Sequence, residues 1–333
     1  GDGASDTLVL IENVSGSAGA ASITGDSSSN VLFGDDGDDT LIGAGGNDTL
    51  DGGEGIDTVD YSAAGAGVRA SIDAGATTND GDGGNDTLTD IENLTGSVFD
   101  DVLEGGAGAN SLSGGSGDDR LSGFAGNDIL DGGAGVDTAD YEEADAGIVV
   151  DLSIQQASDD GFGFVDTLQD IQNISGSAHD DDVTGDSNNN ELIGNDGDDI
   201  FKASAGNDIL DGSDGVDTAD YSALAGGVSA ALQGSADSTV VVQGGDDDTL
   251  RNIENLTGSA GDDVLAGDNQ VNAIQGGSGD DVVYGGTGSD VLDGGSHVSG
   301  DQLRFDDLNG VGIELDLAAG TAAYSADGST DTF

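Results

Sequence analysis

The sequence predicts an all-β fold, a parallel β-roll (β-helix) solenoid made of four tandem units of about 80 residues. Three observations lead to this prediction. Sequence markers recur at a long and nearly constant interval, a nine-residue pattern recurs inside that interval, and the composition does not suit a globular core. Among the 333 residues there are 62 Gly and 4% aromatic residues, while Pro, Cys, Met and Trp do not occur. Without a repeat, such a composition would indicate disorder.

The long repeat is marked by the tripeptide DTL and, at the end of the chain, by the related DTF. These markers begin at Asp6, Asp86, Asp166, Asp248 and Asp331, so their spacing is nearly constant. A second marker, DTVDY or DTADY, begins at Asp57, Asp137 and Asp217, and the related DQLRF begins at Asp301. Self-similarity at a fixed spacing is typical of solenoids. We expect one continuous array over 1–333, cut from a longer chain, with a partial unit at 1–54, units at 55–134, 135–214 and 215–295, and a partial unit at 296–333.

A nine-residue pattern runs inside each unit. From Asp100 it reads DDVLEGGAG, ANSLSGGSG, DDRLSGFAG and NDILDGGAG, with an aliphatic residue two places after each Asp or Asn. The aliphatic residues of this stretch are Leu103, Leu112, Leu121 and Leu130. Nine residues suit half a coil, that is, a short strand and a glycine-rich turn, which makes about 18 residues per coil. Each half coil then points one side chain inward.

A core of this kind is too thin to hold the fold by itself. One aliphatic side chain per nine residues does not offset the entropy of ordering those residues, at about 1–2 kcal/mol each. The chain also carries 68 acidic and 5 basic residues, a net charge of −63. This charge repels nucleic acid and anionic lipid, and the apolar runs are short, so we expect no nucleic-acid partner and no membrane insertion. The absence of Cys excludes disulfides and thiolate metal sites.

The turns supply what the core lacks. They approximate G-G-x-G-x-D-x-aliphatic-x, as in the turns that end at Asp119 and Asp281. Glycine lets successive carbonyl groups turn toward one point, and the Asp adds an anionic oxygen. Calcium is a hard cation that takes 6–8 oxygen ligands. One turn offers about half of such a shell and the equivalent turn one coil later offers the other half, so pairs of turns are suited to a hard cation.

These turns resemble the repeats of the RTX (repeat-in-toxin, haemolysin-type calcium-binding repeat) family of secreted bacterial proteins. The resemblance implies that the turns bind calcium, with ligands from the Asp and from turn carbonyls. It also implies a right-handed parallel β-roll and export by type I secretion with a C-terminal signal. It identifies the following candidate metal-binding residues: Gly34, Asp36, Gly37, Asp39, Gly43, Gly45, Asp48, Gly52, Gly53, Gly55, Asp57, Asp101, Gly114, Ser116, Gly117, Asp119, Asp128, Gly132, Gly133, Gly135, Asp137, Asp181, Gly194, Asp196, Gly197, Asp199, Asp208, Gly212, Gly215, Asp217, Asp263, Gly276, Ser278, Gly279, Asp281, Gly285, Gly286, Gly288, Asp290 and Asp301.

The length of the coil predicts which turns share an ion. On one edge of the roll the expected pairs are Asp39 with Asp57, Asp119 with Asp137, Asp199 with Asp217, and Asp281 with the region of Asp301. On the other edge Asp48, Asp128, Asp208 and Asp290 face turns that end in Asn30, Asn110, Asn190 and Asn272, and we expect an ion there to bind less tightly or to be absent, because Asn is neutral. A further turn, which ends at Asp101, Asp181 or Asp263, is expected to seat another ion. The total is roughly ten calcium ions.

Between the rolls lie segments of roughly 40 residues with strand-like alternation, such as GVRASID, and acidic spacers of uneven length. We expect the strands to continue the solenoid in wider coils and the spacers to be loops. Tyr61, Tyr141 and Tyr221 recur at one phase of the repeat and are expected to fill the core. The Asn residues of NVS, NLT, NIS and NLT are expected to be stacked structural residues rather than to carry glycans.

The predicted function is a calcium-dependent structural array in a large secreted bacterial surface protein, such as an adhesin, a surface-layer protein or a matrix fibre. Its expected partners are calcium, other copies of itself in a lattice or fibre, or a cell-surface polysaccharide. The alternative is a non-catalytic module of a secreted enzyme or toxin. The sequence contains no catalytic constellation, so no enzymatic activity is expected. Ice binding would call for a regular Thr or Asn ladder, whereas the turn positions vary.

Overall fold

The computed structural model describes residues 11–305, 313–316, 321–324 and 330–332. The first DTL marker, at Asp6, lies outside these ranges, as does much of the partial unit at 296–333. Among the described residues the only helical segment is a 3-10 turn at Leu152–Ile154, and no helix there is long and apolar enough to cross a membrane. The remaining elements are short strands. The chain divides into two compact units, Gly1–Asp140 with Gly163–Ile171, and Tyr141–Phe162 with Gln172–Phe333. The predicted boundaries of the four tandem units remain a prediction.

In the first compact unit, successive strands of the nine-residue repeats alternate between two sheets, whereas the three spacer strands between Arg69 and Thr89 lie together in the first sheet. The first sheet has the spatial order Asn13–Ser15, Val31–Asp36, Thr49–Glu54, Thr87–Thr89, Ala76–Asn79, Arg69–Ser71, Val102–Glu104, Arg120–Ser122 and Thr138–Asp140. The second has the order Ser22–Thr24, Thr40–Ile42, Thr58–Asp60, Asn93–Thr95, Ser111–Ser116, Ile129–Ala134 and Asp166–Gln169. Within the nine-residue repeats, strands that are consecutive in the chain lie in opposite sheets, and strands one coil apart pair in parallel.

The second compact unit has the same construction. One of its sheets has the order Asn173–Ser175, Glu191–Ile193, Ile209–Asp211, Asp247–Arg251, Ser238–Val242, Val228–Ala231, Val264–Ala266, Val282–Tyr284 and Gln302–Arg304. The other has the order Gln156–Asp159, Val149–Asp151, Asp182–Thr184, Ile200–Lys202, Thr218–Asp220, Asn255–Thr257, Ala273–Gln275, Val291–Asp293, Thr330–Thr332, Thr321–Tyr324 and Ile313–Asp316. The predicted all-β parallel roll is therefore confirmed.

The predicted length of the coil is also confirmed by the strand register. Leu112 lies opposite Leu130 and Leu103 lies opposite Leu121, so that each leucine meets its equivalent two nine-residue repeats later. All four of these leucines are fully buried, whereas their neighbours along each strand are not. The core is thus thin, with one aliphatic side chain per half coil between the two sheets, because alternate residues of a strand point to opposite faces of the sheet.

The segments between the rolls widen the coil by inserting an antiparallel strand. Arg69–Ser71 and Thr87–Thr89 keep parallel pairing with the roll, but at a longer offset in sequence than one coil, and Ala76–Asn79 runs antiparallel to both. The wider coils expected from the sequence are present. The expectation that the spacers are loops was wrong in part, because Ala76–Asn79 and Ser238–Val242 are strands. In the second compact unit these insertions alternate between the two sheets, at Val149–Asp159, Val228–Val242 and Ile313–Tyr324.

Candidate calcium-binding turns

The aspartates that end the glycine-rich turns form ladders along the edges of each roll. The backbone N–H of Asp39 donates to Oδ1 of Asp57 over 2.7 Å, and the same bond links Asp119 to Asp137 over 2.9 Å. The bonds from Asp199 to Asp217 (2.9 Å) and from Asp281 to Asp301 (3.1 Å) repeat this arrangement. The structure therefore brings together the four pairs that the length of the coil predicts.

The second carboxylate oxygen of these aspartates has no hydrogen-bond donor, although it is buried. This holds for Oδ2 of Asp39, Asp57, Asp119, Asp199, Asp217 and Asp281. A buried carboxylate without a partner is strongly unfavourable in free energy. These oxygens are therefore where the turns need a cation.

Carbonyl oxygens of the next coil lie beside these carboxylates. A methyl group placed on Gly34 would collide with both Oδ2 of Asp39 and the carbonyl oxygen of Gly52. The same is true at Gly276, where Asp281 Oδ2 and the carbonyl oxygen of Gly294 meet. An anionic oxygen next to a carbonyl oxygen from the adjacent coil is the start of a calcium shell. The buried first glycine of each turn leaves room for the two groups to approach.

The inner glycines have backbone conformations that other residues avoid. Gly115 has φ +106° and Gly117 has φ +118°, both in the left-handed region. A Cβ at Gly117 would also collide with the backbone of Phe99 and Asp100 in the preceding coil. The third-position residues Asp36, Ser116, Asp196 and Ser278 are exposed or half-buried at the outside of their turns. Their predicted role as carbonyl ligands remains a prediction.

Burial raises the pKa values of three ladder carboxyl groups, those of Asp119, Asp199 and Asp217. The pKa of Asp119 is raised to about 6, and the pKa values of Asp199 and Asp217 are raised to about 7, with burial as the main cause. Neighbouring carboxylates raise the same pKa values further, and backbone hydrogen bonds partly oppose the rise. In the absence of a cation, these groups therefore hold protons more tightly than ordinary carboxyls.

In the turns that end in Asn, both polar atoms of the Asn side chain have hydrogen-bond partners. Asn110 Oδ1 accepts the N–H of Gly106 over 2.7 Å, and Asn110 Nδ2 donates to the carbonyl oxygen of Glu92 over 2.7 Å. Asn190 and Asn272 make the corresponding bonds. The partner aspartates of this edge, Asp48, Asp128, Asp208 and Asp290, accept the N–H of the Asn one coil earlier, as expected. Ion binding at this edge remains a prediction.

The additional turns are closed by serine. Asp101 Oδ1 accepts from the Ser97 hydroxyl over 2.9 Å and from the Val68 N–H over 2.6 Å, while Oδ2 accepts from the Ser97 N–H. Asp181 with Ser177, and Asp263 with Ser259, show the same bonds. Both oxygens of each carboxylate have donors, so these turns need a cation less than the others do. The predicted ions at Asp101, Asp181 and Asp263 remain a prediction.

Some ladder residues were missed by the sequence analysis. The aspartates of the DTL and DTF markers accept the N–H of the roll aspartate before them, as Asp86 does from Asp48 over 2.9 Å. The others are Asp166, Asp248 and Asp331. Glu92 and Glu254 extend the opposite edge in the same way. The signal was present, because DTL has the same Asp-x-aliphatic spacing as the nine-residue pattern.

The structure agrees with two smaller expectations, one for the recurring tyrosines and one for the Asn residues of the NLT and NIS sequences. Tyr61, Tyr141 and Tyr221 are buried, as core residues should be. Asn93, Asn173 and Asn255 each accept the N–H of the equivalent residue one coil later, which is a stacking role. Among the described residues no three acidic or histidine side chains are arranged to hold a metal by themselves. A calcium shell at these turns must therefore include backbone carbonyls.

A family model for the RTX calcium-binding nonapeptide repeat (four copies) matches residues 24–59, 89–120, 104–139, 184–219, 252–274 and 267–296, which is more than half of the chain. The chain belongs to the RTX calcium-binding repeat family. The matched residues of this RTX chain include all four carboxylate pairs except Asp301. RTX repeats bind calcium and occur in secreted bacterial proteins.

Among solved structures, the RTX chain is similar to the extracellular lipase LipA from Serratia marcescens. The identity is 19% with a TM-score of 0.23, and the match covers 74% of this chain and 38% of the lipase. The chain thus spans well under half the length of that protein. No curated protein matches the chain.

Proposed function

We propose that this chain is a calcium-dependent structural β-roll array in a large secreted bacterial surface protein, such as an adhesin, a surface-layer protein or a matrix fibre. The observation that carries the proposal is the row of buried Asp Oδ2 atoms that have no donor and lie beside carbonyl oxygens. Such a chain is unfolded where calcium is scarce and folds where calcium is plentiful, outside the cell, because ion binding and folding are one equilibrium.

The balance of forces supports this mechanism. A single row of aliphatic side chains contributes little apolar burial per ordered residue. The net charge of −63 opposes any compact state through self-repulsion. Each calcium ion removes two charges and supplies the partner that the buried carboxylates lack. The cation therefore stabilises the roll at the points where the protein alone is least stable.

We propose roughly ten ions, obtained by pairing half-shells along both edges. The strongest sites would lie between the paired aspartates of one edge, such as Asp119 and Asp137. The weaker sites would lie on the edge where Asn alternates with Asp. The weakest would be the turns at Asp101, Asp181 and Asp263, because serine donors already saturate those carboxylates.

The partners beyond calcium are proposed to be other copies of this chain in a lattice or fibre, or a cell-surface polysaccharide. Many turn carboxylates, such as Asp38 and Asp118, are exposed or half-buried, and shared calcium would bridge them between copies. The alternative role is that of a non-catalytic module in a secreted enzyme or toxin, and it differs from the structural array in the other domains of the whole protein. In both roles these residues would bind calcium in the same way.

The test is a calcium titration followed by far-UV circular dichroism, with magnesium as the control. Calcium should produce a cooperative change from coil to β-structure, and magnesium should not, because it demands a small octahedral shell. Sedimentation velocity on the same samples reports whether copies assemble. A chain with full β-structure in calcium-free buffer, unchanged by calcium, would overturn the proposal.

A further inference from the structure

Five neighbouring strands of the second compact unit contain no acidic residue. They lie side by side in one sheet, in the order Ser238–Val242, Val228–Ala231, Val264–Ala266, Val282–Tyr284 and Gln302–Arg304. No other run of neighbouring strands without Asp or Glu is as long among the described strands. We call the outward side of these five strands the carboxylate-free face. In a chain with 68 acidic residues and a net charge of −63, such a face needs a physical reason.

The carboxylate-free face exposes aliphatic side chains. Val240, Leu265 and Val283 are buried in the core, so the residues on either side of them in each strand point outward. Two of these outward residues, Val241 and Val264, are 51% and 41% exposed. Contiguous exposed apolar surface on a soluble protein commonly marks a binding site.

The strand register arranges the outward side chains in two rows that cross the sheet. The first row consists of Val241, Ser229, Val264, Val282 and Gln302. The second row consists of Ala231, Ala266, Tyr284 and Arg304. Apolar and uncharged polar groups therefore follow one another along continuous lines, at the spacing of the strands.

Tyr284 is the aromatic residue of this face. The guanidinium carbon of Arg304 lies over its ring, 5.5 Å from the ring centre. The neighbour of Tyr284 on the other side of the row is Ala266, whose side chain is a single methyl group. Arg304 thus supports the ring from one side, and the small Ala266 leaves space beside it for a flat molecule.

The size of the face favours a thin partner. Five strands about 4.8 Å apart, with two outward rows about 7 Å from each other, give an area of about 300 Å² once the side chains are included. Stable protein–protein interfaces bury about 800 Å² on each partner. The face is therefore too small to hold a second copy of the chain by itself, but it matches one extended polymer chain.

The surrounding charges favour a neutral partner. Asp237 precedes one of the five strands and Asp262 lies just before another, and both side chains are exposed. Charges act over about 8 Å at physiological ionic strength, which reaches across much of the face. An anionic polymer would be repelled by these turns, and a cationic one would bind the turns rather than the face.

We propose that the carboxylate-free face binds a neutral polysaccharide of equatorially linked pyranose units, with one sugar ring stacked beside Tyr284. Such a chain is a flat ribbon whose C–H groups pack on valines and whose hydroxyl groups bond to side chains such as Ser229 and Gln302. The strand spacing of about 4.8 Å is close to the length of one pyranose unit. The inference rests on the proposed function, because the roll must first fold in calcium, and it places one of the suggested partners on a particular sheet.

Native affinity electrophoresis of the full chain in saturating calcium tests the proposal. The neutral probes are hydroxyethyl cellulose and galactomannan, and carboxymethyl cellulose is the anionic probe with the same backbone. We expect the neutral polymers to retard the chain, with dissociation constants at least fivefold lower than that of the anionic polymer. Tighter binding of carboxymethyl cellulose would overturn the proposal, since it would indicate calcium bridges to the turn carboxylates.

A matched pair of substitutions locates the binding site. Val264→Asp places a carboxylate at the centre of the face, and Ile200→Asp makes the same kind of change on the opposite sheet. Both residues begin three-residue strands, follow an Asp and are about equally exposed, at 41% and 40%. We expect Val264→Asp and Tyr284→Ala to weaken binding at least fivefold and Ile200→Asp to leave it within twofold. Equal effects of the two Asp variants would overturn the assignment to this face.

Circular dichroism in saturating calcium shows whether each variant folds. If Val264→Asp does not fold, Ser229→Asp replaces it, because Ser229 lies beside Val264 in the same row and is exposed. A chain that folds with calcium but is not retarded by either neutral polymer would overturn the polysaccharide site and leave the calcium-folded roll intact. A chain that does not fold in calcium at all contradicts the proposed function, and the site with it.

Discussion

Two neighbouring turns of the first compact unit have nearly the same sequence and different chemistry. The turn Gly-Gly-Ala-Gly-Ala-Asn ends at Asn110, and the turn Gly-Gly-Ser-Gly-Asp-Asp ends at Asp119. Asn110 uses its own amide to reach the carbonyl of the preceding coil. The side chain of Asp119 has no N–H to offer, and its Oδ2 is left without a donor. One atom, nitrogen or oxygen, decides whether the turn needs a cation.

The glycines of the two turns also differ in their hydrogen bonds and in the space around them. In the Asp turn, Gly115 pairs with Gly133 of the next coil and Gly117 is in the left-handed region. In the Asn turn, the N–H of Gly106 is taken by Asn110, and a Cβ on Gly108 would have nothing within 4 Å. The two turns therefore differ in the surroundings of their glycines as well as in their last residue.

The largest expected effect is that of pH on the calcium-free chain, because several carboxyl groups act together. The pKa values of Asp199 and Asp217 are about 7 in the fold and near 3.8 when unfolded, so the folded chain binds their protons more tightly. Stability without calcium is therefore fullest near pH 4 and is lost as the pH rises toward 7. Circular dichroism from pH 4 to 8 in calcium-free buffer should show β-structure only at the acidic end.

Sedimentation must accompany this pH series, because the pI is about 4.1 and the uncharged chain tends to associate. Saturating calcium should remove most of the pH dependence between 6 and 8, since the ions displace the protons. A calcium-free monomer that is equally unfolded at pH 5 and pH 7.5 would contradict the assignment of these carboxyls.

Next in size is the substitution Gly117→Ala. The left-handed conformation costs an alanine about 1–2 kcal/mol, and the collision with the backbone of Phe99 and Asp100 adds to that. The matched control is Gly108→Ala, at the same position of the Asn turn, which should change the free energy of unfolding by no more than about 0.5 kcal/mol. Urea unfolding in saturating calcium measures both. Equal losses would refute the difference between the two turns.

A reciprocal exchange of the last residues tests the comparison directly. Asp119→Asn should weaken calcium binding at that turn about tenfold, or about 1.4 kcal/mol, and should stabilise the calcium-free chain. Asn110→Asp should destabilise the calcium-free chain by about 1–3 kcal/mol, because the bond to the Glu92 carbonyl is lost. Calorimetric calcium titration at neutral pH measures the first effect. Urea unfolding without calcium, at the acidic end of the pH series where that chain keeps its β-structure, measures the second. Changes of the same sign in both variants would contradict the argument.

The smallest effect is expected at the serine-closed turns. Ser97→Ala removes the hydroxyl that donates to Asp101 but keeps the backbone N–H bond, so a loss of about 1 kcal/mol is expected. Ser116→Ala, in the neighbouring Asp turn, serves as the control. The loss at Ser97 should be the same with and without calcium, as measured by urea unfolding at the acidic pH where the calcium-free chain keeps its β-structure. A loss that appears only in calcium would mean that Asp101 binds an ion after all.

Much of the fold follows from spacing alone. The interval between Leu112 and Leu130 predicts the coil length, and the same interval places Asp119 beside Asp137. These predictions hold because a parallel roll stacks equivalent positions, so that distance in sequence becomes distance along the edge. The ladder role of Asp86 followed from the same rule and was missed only because DTL was used as a marker of the long repeat.

Whether a carboxylate oxygen has a hydrogen-bond donor depends on groups that are distant in sequence and on the direction in which that oxygen points. The sequence by itself determined the roll, the length of its coil and the pairing of aspartates, since one periodic pattern repeats them throughout the chain. Only the tertiary structure decided which carboxylate oxygens lack a donor. Val68 reaches Asp101, Glu92 reaches Asn110 and Gly46 reaches the spacer loop because the folded coils bring separate segments together. Hydrogen bonds act over about 3 Å and in one direction, so periodicity can place these turns without revealing which of them need calcium.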